Sequence, residues 1–181
     1  EALRVIQDER CESVVVIPIM LQRMLALPAE MMASYDLSRV RVVAASGSAL
    51  PGTLALSWMD RFGDNIYNIY GSTEVAYASI ATPEDLRAAP SSAGRPPYAT
   101  VVRILDDAGL PLPAGESGRI FVGNSMLFEG YTGGGSKDVI DGLMCTGDVG
   151  RFDEDGRLHV EGRDDEMIVS GGENVFPREI E

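Results

Sequence analysis

The stretch Asn68-Ile69-Tyr70-Gly71-Ser72-Thr73-Glu74 decides how this chain is interpreted, because an apolar strand runs directly into hydroxyl groups and a carboxylate. The strand is predicted over residues 66–70. Oxygen ligands of this kind at a strand end are suited to phosphate groups and to a hard metal ion. Taken alone, the pattern is equally typical of an ordinary strand end at which Glu74 caps a helix, so the neighbouring segments must decide.

Two further strands precede this stretch and alternate with helices. Residues 13–17 and 41–46 are rich in β-branched and small apolar residues, as expected of strands covered on both faces. Pro18 and Pro51 stand where the following helices begin. Strands that alternate with helices pair in parallel, and ligands bind such sheets at the carboxyl ends of the strands. The residues at these ends are Gly47, Ser48 and Ala49 after the second strand and residues 71–74 after the third.

The chain changes character after residue 81. Residues 82–85 have the pattern of a helix start, and residues 88–98 are rich in Pro, Ser and Gly and are predicted to cross as a loop. Alternating apolar and polar runs then predict antiparallel strands. They are residues 100–105 and 119–122, the hairpin arms 149–152 and 157–160, and a last strand at 166–169 before a Gly-Gly turn and a helix start at Pro177. The fold class is therefore α/β, with part of a parallel α/β sheet followed by a small antiparallel β-barrel.

Composition limits the partners of this chain. The 28 acidic against 15 basic residues give a net charge of −13, which argues against a nucleic-acid or anionic-membrane surface. An anionic ligand such as ATP remains possible, because magnesium and oriented backbone amides supply local positive potential inside an acidic protein. Cys11 and Cys145 lack the spacing of a metal motif and the density of a disulfide framework, which favours reduced thiols in the cytoplasm. No stretch approaches the length of a membrane span.

A set of short blocks occurs in one order along the chain. The blocks are SGSAL at residues 46–50, NIYGSTE at 68–74, GRIFVG at 118–123, CTGD at 145–148, and the run from GRDD at 162–165 through SGGEN at 170–174 to EIE at 179–181. Together they resemble the signature of the adenylate-forming superfamily, which holds acyl-CoA synthetases, luciferases and the adenylation domains of peptide synthetases. The resemblance spans nearly the whole chain.

This resemblance implies an internal fragment. Family members are much longer, and neither a phosphate loop ending in Lys nor the C-terminal domain with its catalytic lysine is seen here. The implied divisions are an α/β subdomain with the adenine and Thr-Glu motifs (residues 1–92), a β-barrel subdomain (93–163), and the hinge with the first β-hairpin of a truncated C-terminal domain (164–181). The isolated fragment is expected to be inactive or nearly so.

For the first half of the chain the resemblance implies a nucleotide and its metal. Glu74 would bind magnesium together with the phosphates of ATP, and Thr73 would donate to a phosphate oxygen. Tyr70 offers a flat face to adenine, and Gly71 leaves room for the acyl group. Further nucleotide contacts are implied at Asn68 and Ser72, and backbone contacts to adenine at Gly47, Ser48 and Ala49.

For the second half of the chain the resemblance implies a ribose site. Asp148 would accept hydrogen bonds from both ribose hydroxyls, with residues 146–147 forming a compact turn. The alternative is that Asp148 is an ordinary turn residue whose side chain caps its own backbone. Arg163 would reach the ribose or stabilise phosphate charge. The alternative is that Arg163 and the two acids that follow it form a solvated charge cluster in a turn.

The last segment is implied to serve the second half of the reaction. Asp165 corresponds to the hinge about which the C-terminal domain swings. Gly171 and Gly172 would line the passage for the pantetheine arm of CoA, because no side chain closes a backbone of two glycines. This favours CoA over a carrier protein as the acceptor.

Two other motifs are discounted. Residues 133–137 (GGGSK) lack the spacing of a phosphate-binding loop and follow no buried strand, so a mobile surface loop is predicted. Residues 153–156 are too short for a calcium loop.

Three functions compete. The leading hypothesis is a fragment of a carboxylic-acid–CoA ligase, acting on a fatty or related acid with ATP, Mg²⁺ and CoA. The second is an acyl-adenylating enzyme that loads a carrier protein, and the third is a non-catalytic nucleotide-binding module. The sequence leaves the acyl chain length and the oligomeric state open.

Overall fold

The computed structural model of the chain describes residues 1–164, 168–170 and 173–175. The chain divides into two compact units. The first contains Glu1–Tyr70 and Ile80–Gly94, and the second contains Gly71–Ser79 and the residues from Arg95 onward. Among the described residues, none of the helices is both long and apolar enough to cross a membrane.

The first unit is built on parallel strands. β1 (Ser13–Val16) pairs with β2 (Val42–Ala45), and β2 pairs with β3 (Ile66–Ser72), both in parallel. In sheet order β4 (Ala76–Ala81) comes next to β3. The helices of this unit are α1 (Ala2–Asp8), α2 (Pro18–Leu25), α3 (Ala29–Ala33), α4 (Gly52–Phe62) and α5 (Pro83–Ala88).

The predicted alternation of strands and helices is confirmed. Pro18 is the first residue of α2, and Pro51 is the N-cap of α4. The prediction that the first strand is covered on both faces is wrong. Val15 is 80% exposed and Ile17 is 47% exposed. The reason is that β1 lies at the edge of the sheet and has only β2 as a neighbour among the described strands.

The core of the first unit lies between its helices and the sheet. Trp58 is buried there, and its indole Nε1 donates a hydrogen bond to Asn65 Oδ1 at 3.0 Å. Asn65 Nδ2 in turn donates to the carbonyl of Val40 at 3.0 Å. This pairing gives the buried indole the partner that its polar group needs. Other buried core residues are Leu3, Val16, Leu21, Val43, Met59, Ile66 and Leu86.

The second unit holds an antiparallel sheet curled into a half-barrel. Its strands are β5 (Val101–Leu105), β6 (Gly118–Gly123), β7 (Val139–Ile140), β8 (Leu143–Phe152) and β9 (Leu158–Arg163). β6 and β8 are the central neighbours, and Phe121 is fully buried in a cluster with Leu105 and Cys145. The predicted antiparallel β-structure is therefore confirmed.

The turn that was discounted as a calcium loop closes the hairpin between β8 and β9. Its Asp153 carboxylate accepts a hydrogen bond from the backbone amide of Arg157 at 2.7 Å and lies 3.1 Å from His159 Nε2. Beyond this hairpin, β10 (Ile168–Ser170) and β11 (Glu173–Val175) pair antiparallel. The predicted helix start at Pro177 lies outside the described residues.

Helix α5 begins with a reciprocal cap. The Thr82 hydroxyl accepts from the amide of Asp85, and the Asp85 carboxylate accepts from the amide of Thr82, both at 3.2 Å. The pattern of a helix start at residues 82–85 is confirmed, because the two side chains bind amides that the helix itself cannot satisfy.

We expect Thr82→Ala to lower the free energy of unfolding by about 1 kcal/mol, because it removes the hydroxyl acceptor of the cap. Thr82→Ser keeps the hydroxyl and should restore most of the loss. The measurement is chemical denaturation followed by the fluorescence of Trp58, the only tryptophan of the chain. A serine variant as unstable as the alanine variant would show that the hydroxyl is not what stabilises α5.

Candidate functional site

Strand β8 contains a bulge at the position of the CTGD block. In its pairing with β6, Val149 lies opposite Arg119 and Cys145 lies opposite Phe121. One residue of β6 therefore spans the same length as three residues of β8, which are 146–148. The prediction of a compact turn at residues 146–147 is thus replaced by a bulge inside a strand, because the ladder continues on both sides of it.

Two residues hold the bulge in shape. Gly147 adopts a φ of +83°, a left-handed conformation that residues with a side chain rarely take. Thr146 is buried, and its hydroxyl donates to the carbonyl of Ile120 and accepts from the amide of Asp148, both at 3.1 Å. The backbone of Asp148 is consequently fixed from one side by a buried hydroxyl.

Asp148 faces Arg163 across the sheet. The two residues are register partners in the pairing of β8 with β9, and Arg163 Nη1 lies 3.3 Å from Asp148 Oδ1. The Asp148 side chain is 16% exposed and that of Arg163 is 37% exposed. The structure therefore brings together the two residues that the sequence analysis assigned to the ribose and phosphate. The pair presents a carboxylate that accepts hydrogen bonds beside a guanidinium that donates them.

Glu74 lies in the turn between β3 and β4. Because a strand follows this turn, the alternative that Glu74 caps a helix does not hold. Its Oε1 accepts a hydrogen bond from the Tyr131 hydroxyl at 2.8 Å. Hydrogen bonds from Ser72 and Tyr131, together with the charge of Lys137, hold the pKa of Glu74 below its usual range. Glu74 is thus an ionised, half-buried carboxylate, and its oxygens are ligands of the kind that a hard cation prefers.

The glycine-rich segment at residues 133–137 is anchored on both sides. Before it, the amide of Phe128 donates to the carbonyl of Glu74 at 2.9 Å, and the rings of Phe128 and Tyr131 meet edge to face at 4.8 Å. After it, the amide of Cys145 donates to the carbonyl of Asp138 at 2.8 Å. From the sequence this segment is predicted only as a mobile surface loop, which gives no role to Tyr131 or Lys137. The signal available for Lys137 was that it is the only lysine of the chain.

The adenine block lies at the carboxyl end of β2, in the first unit. Gly47, Ser48 and Ala49 are exposed. Since Ala45 pairs with Asn68, this loop begins beside the end of β3, where Tyr70 lies half-buried. The expected meeting of strand ends is therefore present. Asn68, proposed as a nucleotide contact, donates its side-chain amide to the carbonyl of Ser92 at 3.1 Å, which ties β3 to the loop after α5.

Gly71 and Thr73 take different positions around the same turn. A Cβ at Gly71 would collide with the carbonyl oxygen of Ala76, so the close approach of β4 already requires a glycine here. Thr73 is exposed at the start of the turn. The assigned roles of both residues toward ligands remain predictions.

Asp165, Gly171 and Gly172 lie outside the described residues. The hinge role of the first and the CoA-passage role of the two glycines accordingly stay predictions. Strand β10 ends at Ser170 and β11 begins at Glu173, so the two strands flank the glycines in sequence.

Comparison with known proteins identifies a family to which the chain is similar. The model of the protein family described as "AMP-binding enzyme" matches residues 1–132 of the chain. A feruloyl-CoA synthase of Amycolatopsis is 37% identical over 183 residues, which is 99% of this chain and 37% of that protein. A medium/long-chain-fatty-acid–CoA ligase of Mycobacterium tuberculosis is 34% identical over 188 residues, which is 100% of this chain and 32% of that protein.

A solved structure is similar over the same extent. The amide bond synthetase McbA from Marinactinospora thermotolerans superposes with a TM-score of 0.89 at 32% identity, over 99% of this chain and 37% of that one. The chain spans about a third of the length of the relatives that it matches.

We expect Tyr131→Phe to raise the pKa of Glu74, because it removes one of the hydrogen bonds that favour the ionised carboxylate. The measurement is an NMR titration of the glutamate side-chain carboxyls, with Glu74→Gln used to assign the resonance. Tyr98→Phe is the matched control, since Tyr98 is 98% exposed in the same unit. An unchanged Glu74 pKa in Tyr131→Phe would contradict the assignment of Tyr131 as its hydrogen-bond donor.

Proposed function

Because the chain belongs to the AMP-binding enzymes, we propose that the protein of which it is part is an ATP-dependent carboxylic-acid–CoA ligase. The reaction would form an acyl-adenylate and then an acyl-CoA thioester. The relatives named above support acid–thiol ligation as the reaction class. Their acids differ, from a ferulic acid to fatty acids, so the acid is a separate part of the proposal.

The observation that carries the proposal is the placement of three charged groups in the second unit. An ionised carboxylate, Glu74, stands in a turn, and the Asp148–Arg163 pair stands at a strand bulge. Adenylation needs a site that binds a ribose and offsets negative charge on phosphates. Asp148 would bind the ribose hydroxyls and Arg163 would bind phosphate oxygens. Glu74 would bind a cation.

In the first step, a carboxylate oxygen of the acid attacks the α-phosphorus of ATP, the bond to the β-phosphate oxygen breaks, and pyrophosphate leaves. Asp148 would hold the ribose through both hydroxyls, which fixes the position of the α-phosphate relative to the acid. Arg163 and the Thr73 hydroxyl would donate to oxygens that gain charge as the bond breaks. In the second step the thiolate of CoA attacks the acyl carbonyl and AMP leaves.

Magnesium fits the residues that are present. Among residues 1–164 and the two described strand segments beyond them, no group of three or more His, Cys, Asp or Glu side chains is placed to hold a metal. Mg²⁺ is commonly held by one or two carboxylates together with substrate phosphates, and the ionised Glu74 matches that requirement. When bound, the ion would offset the charge of the departing pyrophosphate.

The acyl group, the acceptor and the location are proposed on separate grounds. A fatty or related acid is supported by the fatty-acid ligase among the relatives, and the small apolar residues Ala76 and Ala78 after the turn are compatible with it without requiring it. CoA as the acceptor rests on the two adjacent glycines, Gly171 and Gly172, and on the names of the relatives. A cytoplasmic location rests on the sparse, unpatterned cysteines.

The test is pyrophosphate release by the full-length protein across a panel of aliphatic and aromatic carboxylic acids, with and without CoA. Mass spectrometry follows the acyl-adenylate and the acyl thioester. Thioester that appears only with CoA supports the proposal and names the acid. Adenylate without thioester would move the protein to the carrier-loading class, and no pyrophosphate with any acid would favour a non-catalytic nucleotide-binding module.

We expect Glu74→Gln to lower the rate of pyrophosphate release by at least about tenfold, because the amide has no charge to hold a cation against the phosphates. Glu154→Gln is the matched control, since Glu154 is exposed in a turn of the same unit. The assignment of Glu74 fails if the two variants keep the same rate at every magnesium concentration.

A further inference from the structure

Lys137 follows the glycine-rich segment of the second unit and is the only lysine in the chain. Its side chain is half-buried, although the residues just before it are exposed. The segment is fixed on both sides by backbone hydrogen bonds, to the Glu74 turn and to β8. Lys137 therefore has a defined place in the fold.

That place is directly over the bulge of β8. Lys137 Nζ lies 3.3 Å from the position that a Cβ on Gly147 would occupy, and Arg163 Nη2 lies 3.0 Å from the same point. Two cationic groups thus converge on Gly147, where any side chain would crowd both of them. Asp148, the proposed ribose ligand, is the next residue along the strand.

Lys137 makes no ion pair or hydrogen bond with any residue that the structure describes. The nearby acids have other partners. Asp138 binds Arg119 at 3.0 Å, Asp148 binds Arg163 at 3.3 Å, and Glu74 accepts from Tyr131 at 2.8 Å. The ammonium group acts on Glu74 only through its field.

Two neighbouring cations repel each other, and a bound anion removes that repulsion. An ammonium group donates hydrogen bonds in several directions and binds phosphate as a point charge. A neutral ribose gains less from a positive charge, and its hydroxyls are already assigned to Asp148 in the proposed function. The absence of a side chain at Gly147 lets the ammonium and guanidinium groups approach the same point of the strand, where both can donate to one oxyanion. These features favour a phosphate group as the ligand.

We propose that Lys137 is a phosphate-binding residue of the nucleotide site, and that it acts with Arg163 on the phosphate chain of a nucleoside triphosphate beside Glu74. The proposal rests on the proposed function, since it assigns one more residue to the same adenylation site. It also gives the glycine-rich segment a purpose, which is to carry this one cation to the bulge.

The first test needs no variant. The full-length protein is treated with a low concentration of an amine-acylating reagent, and mass spectrometry follows the peptide that contains Lys137. We expect ATP to slow the labelling of Lys137 at least about fivefold, and adenosine to leave it unchanged, because only ATP brings phosphate to the ammonium group. Equal labelling rates at saturating ATP and without ligand would overturn the proposal.

The second test measures nucleotide affinity by calorimetry for the wild type, Lys137→Ala and Lys137→Arg. We expect Lys137→Ala to weaken ATP binding about tenfold with adenosine affinity unchanged, and Lys137→Arg to keep most of the ATP affinity. Arg103→Ala is the matched control, because Arg103 is exposed on β5 of the same unit and donates a hydrogen bond to the neighbouring Val102 carbonyl. It removes the same charge and should leave both affinities unchanged.

The outcomes separate this inference from the proposed function. A wild type that binds ATP and releases pyrophosphate, with Lys137→Ala indistinguishable from it, overturns the role of Lys137 alone. A loss of ATP affinity equal in Lys137→Ala and Arg103→Ala shows a general charge effect and also overturns it. A wild type that binds no ATP contradicts the proposed function itself.

Discussion

The bulge of β8 is the constraint on which the proposed site depends. A regular strand would place residues 146–148 in the ladder with β6, and their side chains would alternate between the two faces of the sheet. Because one residue of β6 spans three of β8, this segment instead leaves the ladder at Gly147. Asp148 is then held opposite Arg163, and the glycine lets the cationic groups of Lys137 and Arg163 approach the same point of the strand.

The supporting contacts are short-range and mostly uncharged. Thr146 binds two backbone groups of the bulge, and Tyr131 binds the carboxylate of Glu74. These hydrogen bonds are neutral, so they fix Glu74 and the bulge without adding charge to the site. In the proposed site, Lys137 and Arg163 supply two cationic donors on one glycine beside the carboxylates of Glu74 and Asp148. A chain with a net charge of −13 can therefore still present donors to an anion, since salt screens the more distant acidic surface.

The parts of the fold that could be predicted from sequence are those set by local chemistry. Proline at the starts of α2 and α4, the cap at Thr82 and the alternating runs of the barrel strands act within a few residues, and all were predicted. The exposure of Val15 could not be predicted, because it depends on the position of β1 at the sheet edge.

The same distinction applies to the site. Glu74, Asp148 and Arg163 stand in recognisable blocks, so the sequence was enough to assign them roles, and these roles stay predictions. The bulge was mistaken for a turn, because a glycine in a short polar block is compatible with both and only the register with β6 distinguishes them. Tyr131 reaches Glu74 across a long sequence separation, and Lys137 reaches Gly147 from a segment whose composition resembles an ordinary loop, so the sequence indicated no role for either residue.

A crystal structure of the full-length protein with a non-hydrolysable ATP analogue and magnesium would show directly whether these residues form a nucleotide site. We expect ribose hydroxyls on Asp148, phosphate oxygens within hydrogen-bond distance of both Arg163 and Lys137, and the ion on Glu74. A nucleotide bound with its phosphates away from the Gly147 bulge, leaving Lys137 in solvent, would contradict this expectation.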